Sequence, residues 1–239
     1  AIGDRGNTQQ DYIKKNFDNA DENCFNTVFR SSQYITDFCA SISAAGALMF
    51  QNDYKNPYGT AMSGFTQSEE DHCHKPSLYM YNNDDEMIHS LKKHINQCIK
   101  DFHCKNCEIA IISFKEDLFE EEIIKNVSDS IGKNISVINS KYSSRKNDDC
   151  IQLFGPYSIN GLEFKCVILI GVDEGRVPKN VGTSDVSQNY IKYEAFNKLY
   201  LASSRAKYRL IILGNKLHSV SSCLQYSIQN KLIEFEEVN

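Results

Sequence analysis

The strongest constraint on the fold lies in residues 160–175, where a glycine turn, an apolar run and a second glycine turn follow one another. The first turn presents Glu163, and the apolar run at 167–170 is rich in β-branched residues and too short to span a membrane. Such a run is typical of a strand that is buried on both faces, as in a parallel sheet. The stretch therefore predicts a core strand of an α/β sheet, with the polar residues 171–175 at the carboxyl edge, where ligands of such sheets bind.

Two motifs downstream of that glycine turn resemble those of UvrD/Rep-type superfamily-one helicases. The first begins with Gly-Leu-Glu-Phe at 161–164, continues through the apolar run, and ends with Glu-Gly at 174–175 and Pro178. The second is Leu-Tyr-Leu-Ala-Ser-Ser-Arg-Ala-Lys at 199–207, followed by an apolar strand at 210–213. Because the two motifs occur in the expected order and spacing, the chain resembles the second, C-terminal motor domain of these helicases.

Strands and amphipathic helices alternate along much of the chain, which predicts an α/β fold with helices on both faces of a parallel sheet. The family resemblance makes this a three-layer, RecA-like (P-loop NTPase-like) domain. The sequence contains no G-x-x-x-x-G-K-[ST], so the domain has no Walker A motif of its own. The predicted strands are 78–81, 108–114, 135–138, 150–154 and 209–213. The predicted helices are 84–100, 117–131 and 188–207, and Gly132 caps the second of them. Residues 51–77 are expected to form a long surface loop.

Residues 26–35 read as a short strand followed by a helix, with Ser31 or Ser32 as the N-cap. They resemble the "NYRSxxxI" element of the same helicases. The resemblance implies that Phe29 stacks on adenine and that Arg30 reaches the γ-phosphate. Taken without the other motifs, Arg30 would be an ordinary surface arginine.

The same resemblance implies further nucleotide contacts. Arg205 would be a second catalytic arginine, Glu163 would hydrogen-bond the ribose, and Gly161 would form the turn that presents Glu163. Gln9 would sense the γ-phosphate or position the attacking water. The segment containing Gln9 and Tyr12 resembles the family's "GD-x-x-Q-x-x-Y" element with two extra residues before the glutamine, and a plain Gly/Asn loop is the alternative.

We expect Tyr12, Tyr157 and Ser158 to contact single-stranded DNA, with RNA as an alternative track. Tyr157 and Asn160 stand where the family has His and Lys, a departure that bears on the coupling between ATP and DNA. A non-catalytic module that uses the helicase fold to bind nucleic acid or a partner therefore remains the alternative function.

The expected domain division is a remnant of the first motor domain or a linker at 1–24 and the second RecA-like domain at 25–239. The sequence starts Ala-Ile-Gly-Asp, without an initiator Met, and we expect a fragment of a longer chain. An N-terminal motor domain of the same protein would hold most of the ATP and Mg²⁺. The fragment alone would then hydrolyse little or no ATP.

Composition limits how the chain could bind nucleic acid. Its net charge is −5, from 26 Lys and Arg against 31 Asp and Glu, so any nucleic-acid contact must come from a local groove. The nine cysteines show no secreted-domain pattern, no leader is visible, and we expect reduced thiols in a cytoplasmic protein. A zinc site built from His72, His74, Cys104 and Cys107 is chemically possible. However, one C-x-x-C without a second pair favours free thiols and no metal.

Overall fold

The apolar run at 167–170 lies in a central strand of a seven-stranded parallel sheet. The computed structural model describes residues 27–50, 61–138, 149–159, 161–180 and 185–238. The strands are β1 (Thr27–Val28), β2 (Met62–Ser63), β3 (Ser77–Tyr81), β4 (Ile109–Ser113), β5 (Ile135–Ile138), β6 (Ile151–Phe154), β7 (Phe164–Ile170), β8 (Ala206–Asn215) and β9 (Glu234–Glu237). In space the large sheet runs β5-β6-β4-β7-β8-β3-β9, all neighbours being parallel, while β1 and β2 pair separately.

Helices cover both faces of this sheet. They are α1 (Gln33–Phe50), α2 (Gln67–Glu70), α3 (Asp84–His89), α4 (Leu91–Phe102), α5 (Glu121–Ile131), α6 (Asp185–Ser203) and α7 (Gln225–Gln229). Within the described ranges, no helix combines the length and apolar character that crossing a bilayer requires.

Alternate residues of each central strand enter two separate cores. In β7, Val167 and Leu169 join the core that contains residues of α1 and α6. Ile168 and Ile170 join the core that contains residues of α3, α4 and α5. All four side chains have no solvent-accessible surface. The predicted three-layer α/β architecture is therefore confirmed, and it explains why this strand is apolar without alternation.

The link from β6 to β7, residues 155–163, contains no helix among its described residues. Because β6 and β7 are both parallel to β4, which lies between them, the link must return from the carboxyl edge of the sheet to the amino edge. We use "amino edge" for the side where the strands begin and "carboxyl edge" for the side where they end. Ile159, in this link, is fully buried in the same core as α1 and α6.

The predicted strands in the sheet are confirmed to within one residue at each end, except that β8 begins three residues before and ends two residues after the predicted 209–213. The Gly132 cap is confirmed by its left-handed backbone (φ +67°). Two helices differ from the prediction. The helix expected over 84–100 is divided into α3 and α4 at Ser90, whose hydroxyl donates to the carbonyl of Met87 and competes with the backbone pattern. The helix expected over 117–131 is shorter, because a 3₁₀ turn occupies Glu116–Phe119.

The segment predicted as one long loop, 51–77, is also different where it is described. It contains β2 and α2, and α2 begins with a capping box between Thr66 and Glu69. Residues 51–60 lie outside the described ranges, as does the charged stretch at 139–148.

A buried histidine, His94, gives the fold a testable response to pH. Its Nε2 lies 2.8 Å from the hydroxyl of Tyr81, and its Nδ1 has no partner among the described residues. Burial, and then the charges of Lys93 and Arg209, lower the pKa of His94 from 6.5 to about 4. The ring is therefore neutral in the folded protein at pH values where the unfolded chain already binds a proton.

We expect the free energy of unfolding to decrease as pH falls from 6.5 towards 4, with His94 contributing up to about 1.4 kcal/mol per pH unit. Urea unfolding at several pH values measures this slope. The variant His94→Gln should flatten it, whereas His72→Gln, at an exposed histidine, should leave it unchanged. An unchanged slope in His94→Gln would contradict the assignment.

Candidate functional site

A cavity of about 800 Å³ opens at the amino edge, between α1 and α6. Arg30 precedes α1 and Arg205 follows α6, and both line this amino-edge cavity together with Ser31, Thr36 and Tyr200. The remaining lining residues include Ile35, Cys39, Tyr193, Asn197 and Leu201. Two guanidinium groups from separate elements therefore face one space, the arrangement that an anionic ligand requires.

Arg30 and Glu163 form an ion pair beside this cavity, with 2.6 Å between Nε and Oε1. Glu163 lies directly before β7, at the amino edge. The two side chains are 41% and 49% exposed, so water screens the pair and it contributes at most about 1 kcal/mol to stability. An incoming ligand can therefore break this contact at little cost.

Arg205 is held much more firmly, because it is only 7% exposed. Its Nε donates to the carbonyl of Leu201 (3.1 Å), its Nη1 to the carbonyl of Leu162 (3.3 Å) and its Nη2 to the hydroxyl of Ser204 (3.2 Å). Burial lowers the pKa of Arg205, and the nearby charge of Arg30 lowers it further. Both effects favour an added anion, which would compensate the buried positive charge.

The position of Arg205 corrects one prediction from the sequence. The helix was expected to continue to Lys207 and to carry the arginine, but α6 ends at Ser203. The amide of Arg205 bonds to the carbonyl of Ala202, three residues back, so the last turn is tightened before β8 begins at Ala206. Arg205 therefore stands on a turn between helix and strand.

Phe29 is 76% exposed and lies against Gly64. A Cβ atom at Gly64 would lie 2.3 Å from Cδ1 of Phe29, so only glycine permits this position of the ring. Gly161 has φ +78° and an open environment, so its turn needs glycine for backbone conformation rather than for space. Gln9 and Tyr12 lie outside the described residues.

A second cavity, of about 740 Å³, opens at the carboxyl edge. Four basic side chains line it, those of Lys115, Arg176, Lys179 and Lys198, together with the ring of Tyr157. Lys198 Nζ lies 4.1 Å from the centre of that ring. Ser158 is in the adjoining turn, where its amide donates to the carbonyl of Gly155.

Glu194, on α6, lines both cavities. Its carboxylate accepts a hydrogen bond from the hydroxyl of Tyr157 and pairs with Lys198 Nζ at 3.3 Å. The hydrogen bond from Tyr157, and then Lys198, lower the pKa of Glu194. No pattern in the sequence indicated Glu194 and Lys198, because Tyr157, which both contact, is distant in the chain. Gly64 was missed because it lies in a segment without hydrophobic periodicity.

The acidic residue Asp173, expected at a ligand-binding edge, is instead buried without solvent contact. It pairs with Arg176 (3.0 Å) and accepts from the amide of Asn215, and burial raises its pKa. Arg176 also donates to both carboxylate oxygens of Asp84, from Nη1 to Oδ1 (3.0 Å) and from Nη2 to Oδ2 (2.5 Å). This network supports the floor of the carboxyl-edge cavity.

The cysteines and histidines considered for zinc have other contacts in the structure. Cys104 is buried with its Sγ 3.5 Å from that of Cys166. His74 instead packs edge-on against Phe102. Among the described residues, no group of three or more His, Cys, Asp or Glu side chains could hold a metal ion.

The two cavities belong to a RecA-like α/β domain, and comparison with known proteins identifies its family. Residues 47–216 match the model of the UvrD-like helicase C-terminal domain. Since this span exceeds half of the chain, the protein belongs to the UvrD-like helicase C-terminal domain family. The resemblance found in the sequence is thereby confirmed.

One solved structure supports the fold. The C-terminal domain of a possible DNA helicase from Lactobacillus plantarum WCFS1 has a TM-score of 0.55 and 18% identity, over 87% of this chain and 98% of that chain. Domain 2 of the DEAD-box helicase Mss116p bound to an RNA duplex has a TM-score of 0.42 and 16% identity, over 70% of this chain and 64% of that chain. No curated protein sequence matches this chain significantly.

The network of Arg176 with Asp173 and Asp84 predicts that removing Arg176 lowers the free energy of unfolding by an amount that depends on pH. Arg176→Leu leaves the carboxylate of Asp173 buried without its cation, which should destabilise the domain by about 3 kcal/mol at pH 7. The cost should be smaller at pH 5, because unpaired carboxyl groups with raised pKa values take up protons there. Chemical unfolding at both pH values measures it, with Lys179→Leu, at an exposed pair with Glu116, as the control. Equal losses in the two variants would contradict this account.

Proposed function

We propose that this chain supplies the second motor domain of an ATP-dependent DNA helicase or translocase. The observation that supports it most is the meeting of Arg30, Glu163 and Arg205 at one amino-edge cavity, since these residues come from three separate motifs. Membership of the UvrD-like family makes ATP the natural ligand.

In this proposal, Arg30 and Arg205 stabilise the negative charge that develops on the γ-phosphate oxygens during phosphoryl transfer. Arg30 exchanges Glu163 for the phosphate, and the released carboxylate accepts a hydrogen bond from the ribose. Phe29 offers an exposed aromatic face to adenine. Gln9 completes the site as γ-phosphate sensor.

The rest of the ATP site comes from another domain. Since the sequence lacks a Walker A motif, we propose that an N-terminal motor domain of the same protein cradles the phosphates and holds Mg²⁺. Residues 1–24 are then its remnant or a linker, and residues 25–239 form the second motor domain. In this domain, the two arginines that line the cavity suit the terminal phosphate. Phe29 and Glu163 lie next to Arg30 in the sequence and through its ion pair, and would take the base and the ribose. The metal would be held by the partner domain.

The carboxyl-edge cavity is the proposed part of the single-stranded DNA track in this domain. Its lysines and arginine suit phosphates, and Tyr157 suits stacking with a base. Ser158 would extend it. Tyr12 remains a proposed DNA contact outside the described residues. Three acidic side chains, those of Glu116, Asp117 and Glu194, also line the cavity and pair with its lysines. A DNA phosphate would have to replace them, because the net charge of −5 gives no general attraction to nucleic acid.

Removal of Arg205 tests the motor assignment. In the full-length protein, Arg205→Ala should lower kcat for ATP hydrolysis about 10³-fold, because arginine fingers contribute this much to phosphoryl transfer. Arg30→Ala tests the same role at an exposed side chain, where misfolding is not a concern. Steady-state ATPase assays measure kcat, and thermal unfolding of each variant checks that it is folded.

The matched control is Lys92→Ala, which removes one positive charge from an exposed position on α4, on the opposite face of the sheet. It should retain full turnover. If the two arginine variants hydrolyse ATP within a few-fold of wild type, the arginine-finger roles are wrong. DNA binding by a wild-type protein without ATPase activity would favour the non-catalytic binding module.

Gly64 gives an independent test of the base contact. Gly64→Ala should displace the Phe29 ring and raise KM for ATP about tenfold, the value of one lost stacking contact, with little change in kcat.

Gly64→Ala should have no further effect on KM for ATP when Phe29 is already replaced by alanine. Gly155→Ala is the matched control, because a Cβ there meets only Phe119, at 3.8 Å. An unchanged KM in Gly64→Ala would show that Phe29 is not the base platform.

A further inference from the structure

The β6–β7 link and helix α6 run together across the sheet and contact each other near both edges. Near the carboxyl edge, the hydroxyl of Tyr157 donates to Glu194. Near the amino edge, Arg205 Nη1 donates to the carbonyl of Leu162, one residue before Glu163. One pair of elements therefore joins the two cavities.

Arg205 is bonded directly to the last turn of α6. Its Nε and its amide are bonded to the carbonyls of Leu201 and Ala202, in the last turn of the helix. Ser204, which binds Arg205 Nη2, donates its own amide to the carbonyl of Tyr200. These bonds connect the guanidinium group to α6, while the carbonyl of Arg205 accepts from the amide of Phe164 at the start of β7.

A strand of nucleic acid in the carboxyl-edge cavity would compete for the groups that hold Glu194. A phosphate would draw Lys198 away from Glu194, since both anions need the same ammonium group. A base on the ring of Tyr157 would occupy the face that Lys198 covers. Nucleic acid would therefore bind differently when Glu194 on α6 is bonded to Tyr157 and Lys198 and when it is not. Such a difference in binding is what shifts the populations of two positions of α6.

We propose that the contact of Tyr157 with Glu194 couples binding of single-stranded DNA at the carboxyl edge to the position of Arg205 at the amino edge. Glu194 is a positioning residue in this scheme. The inference rests on the proposed motor function. It also assigns a role to the tyrosine that stands where related helicases have histidine.

The test is ATP hydrolysis by the full-length protein as a function of oligothymidylate concentration. Glu194→Ala should lower the ratio of the hydrolysis rate at saturating DNA to the rate without DNA about tenfold, a typical coupling factor. The half-saturating DNA concentration should fall, because Glu194 no longer competes with a DNA phosphate for Lys198. Tyr157→Phe should reduce the stimulation similarly, and the double variant should be no worse than the single ones, because both remove one contact.

Glu116→Ala is the matched control, because Glu116 lines the same cavity but pairs with Lys179 rather than with α6. It should retain full stimulation. If the wild type is stimulated and Glu194→Ala is stimulated equally, this inference is overturned while the motor function stands. A changed half-saturation with full maximal stimulation also overturns it. A wild type without any ATPase activity overturns the proposed function itself, and the inference with it.

Discussion

The short return from β6 to β7 is the constraint on which the rest of the structure depends. Parallel strands usually need a crossover of a dozen or more residues, commonly a helix. Here residues 155–163 make the crossing, and Ile159 is fully buried on the way. The link must therefore lie close against the sheet beside α6, which fixes Tyr157 near one edge and Glu163 at the other.

That geometry explains why the amino edge, rather than the carboxyl edge, collects the motif residues. Glu163 and Arg205 each stand directly before a strand, and β7 and β8 are neighbours in the sheet. Adjacent parallel strands begin side by side, so residues that precede them meet. Arg30 is brought to the same place because the amide of Ser32 bonds to the carbonyl of Lys207 in β8.

The sequence was sufficient for the sheet, its two-sided burial and the Gly132 cap, because these depend on local periodicity and turn chemistry. The end of α6 was missed because helix and strand propensities do not mark where a buried strand must start. The position of residues 171–175 at the carboxyl edge was foreseen, but the burial of Asp173 against Arg176 was not, because an acidic residue after a strand can bind a ligand or pair internally. Glu194 gave no signal, since its partner Tyr157 is 37 residues away in the chain.

The ion pair between Arg30 and Glu163 has a consequence for energetics. A carboxylate already occupies the guanidinium group, so a phosphate that replaces it gains only the difference between two anions. Under the proposed function, Arg30 would add little to ground-state affinity and would contribute more as charge accumulates on the reacting oxygens. A carboxylate such as Glu163, which occupies the arginine when phosphate is absent, would thus separate the binding of ATP from the cleavage of its terminal phosphate bond.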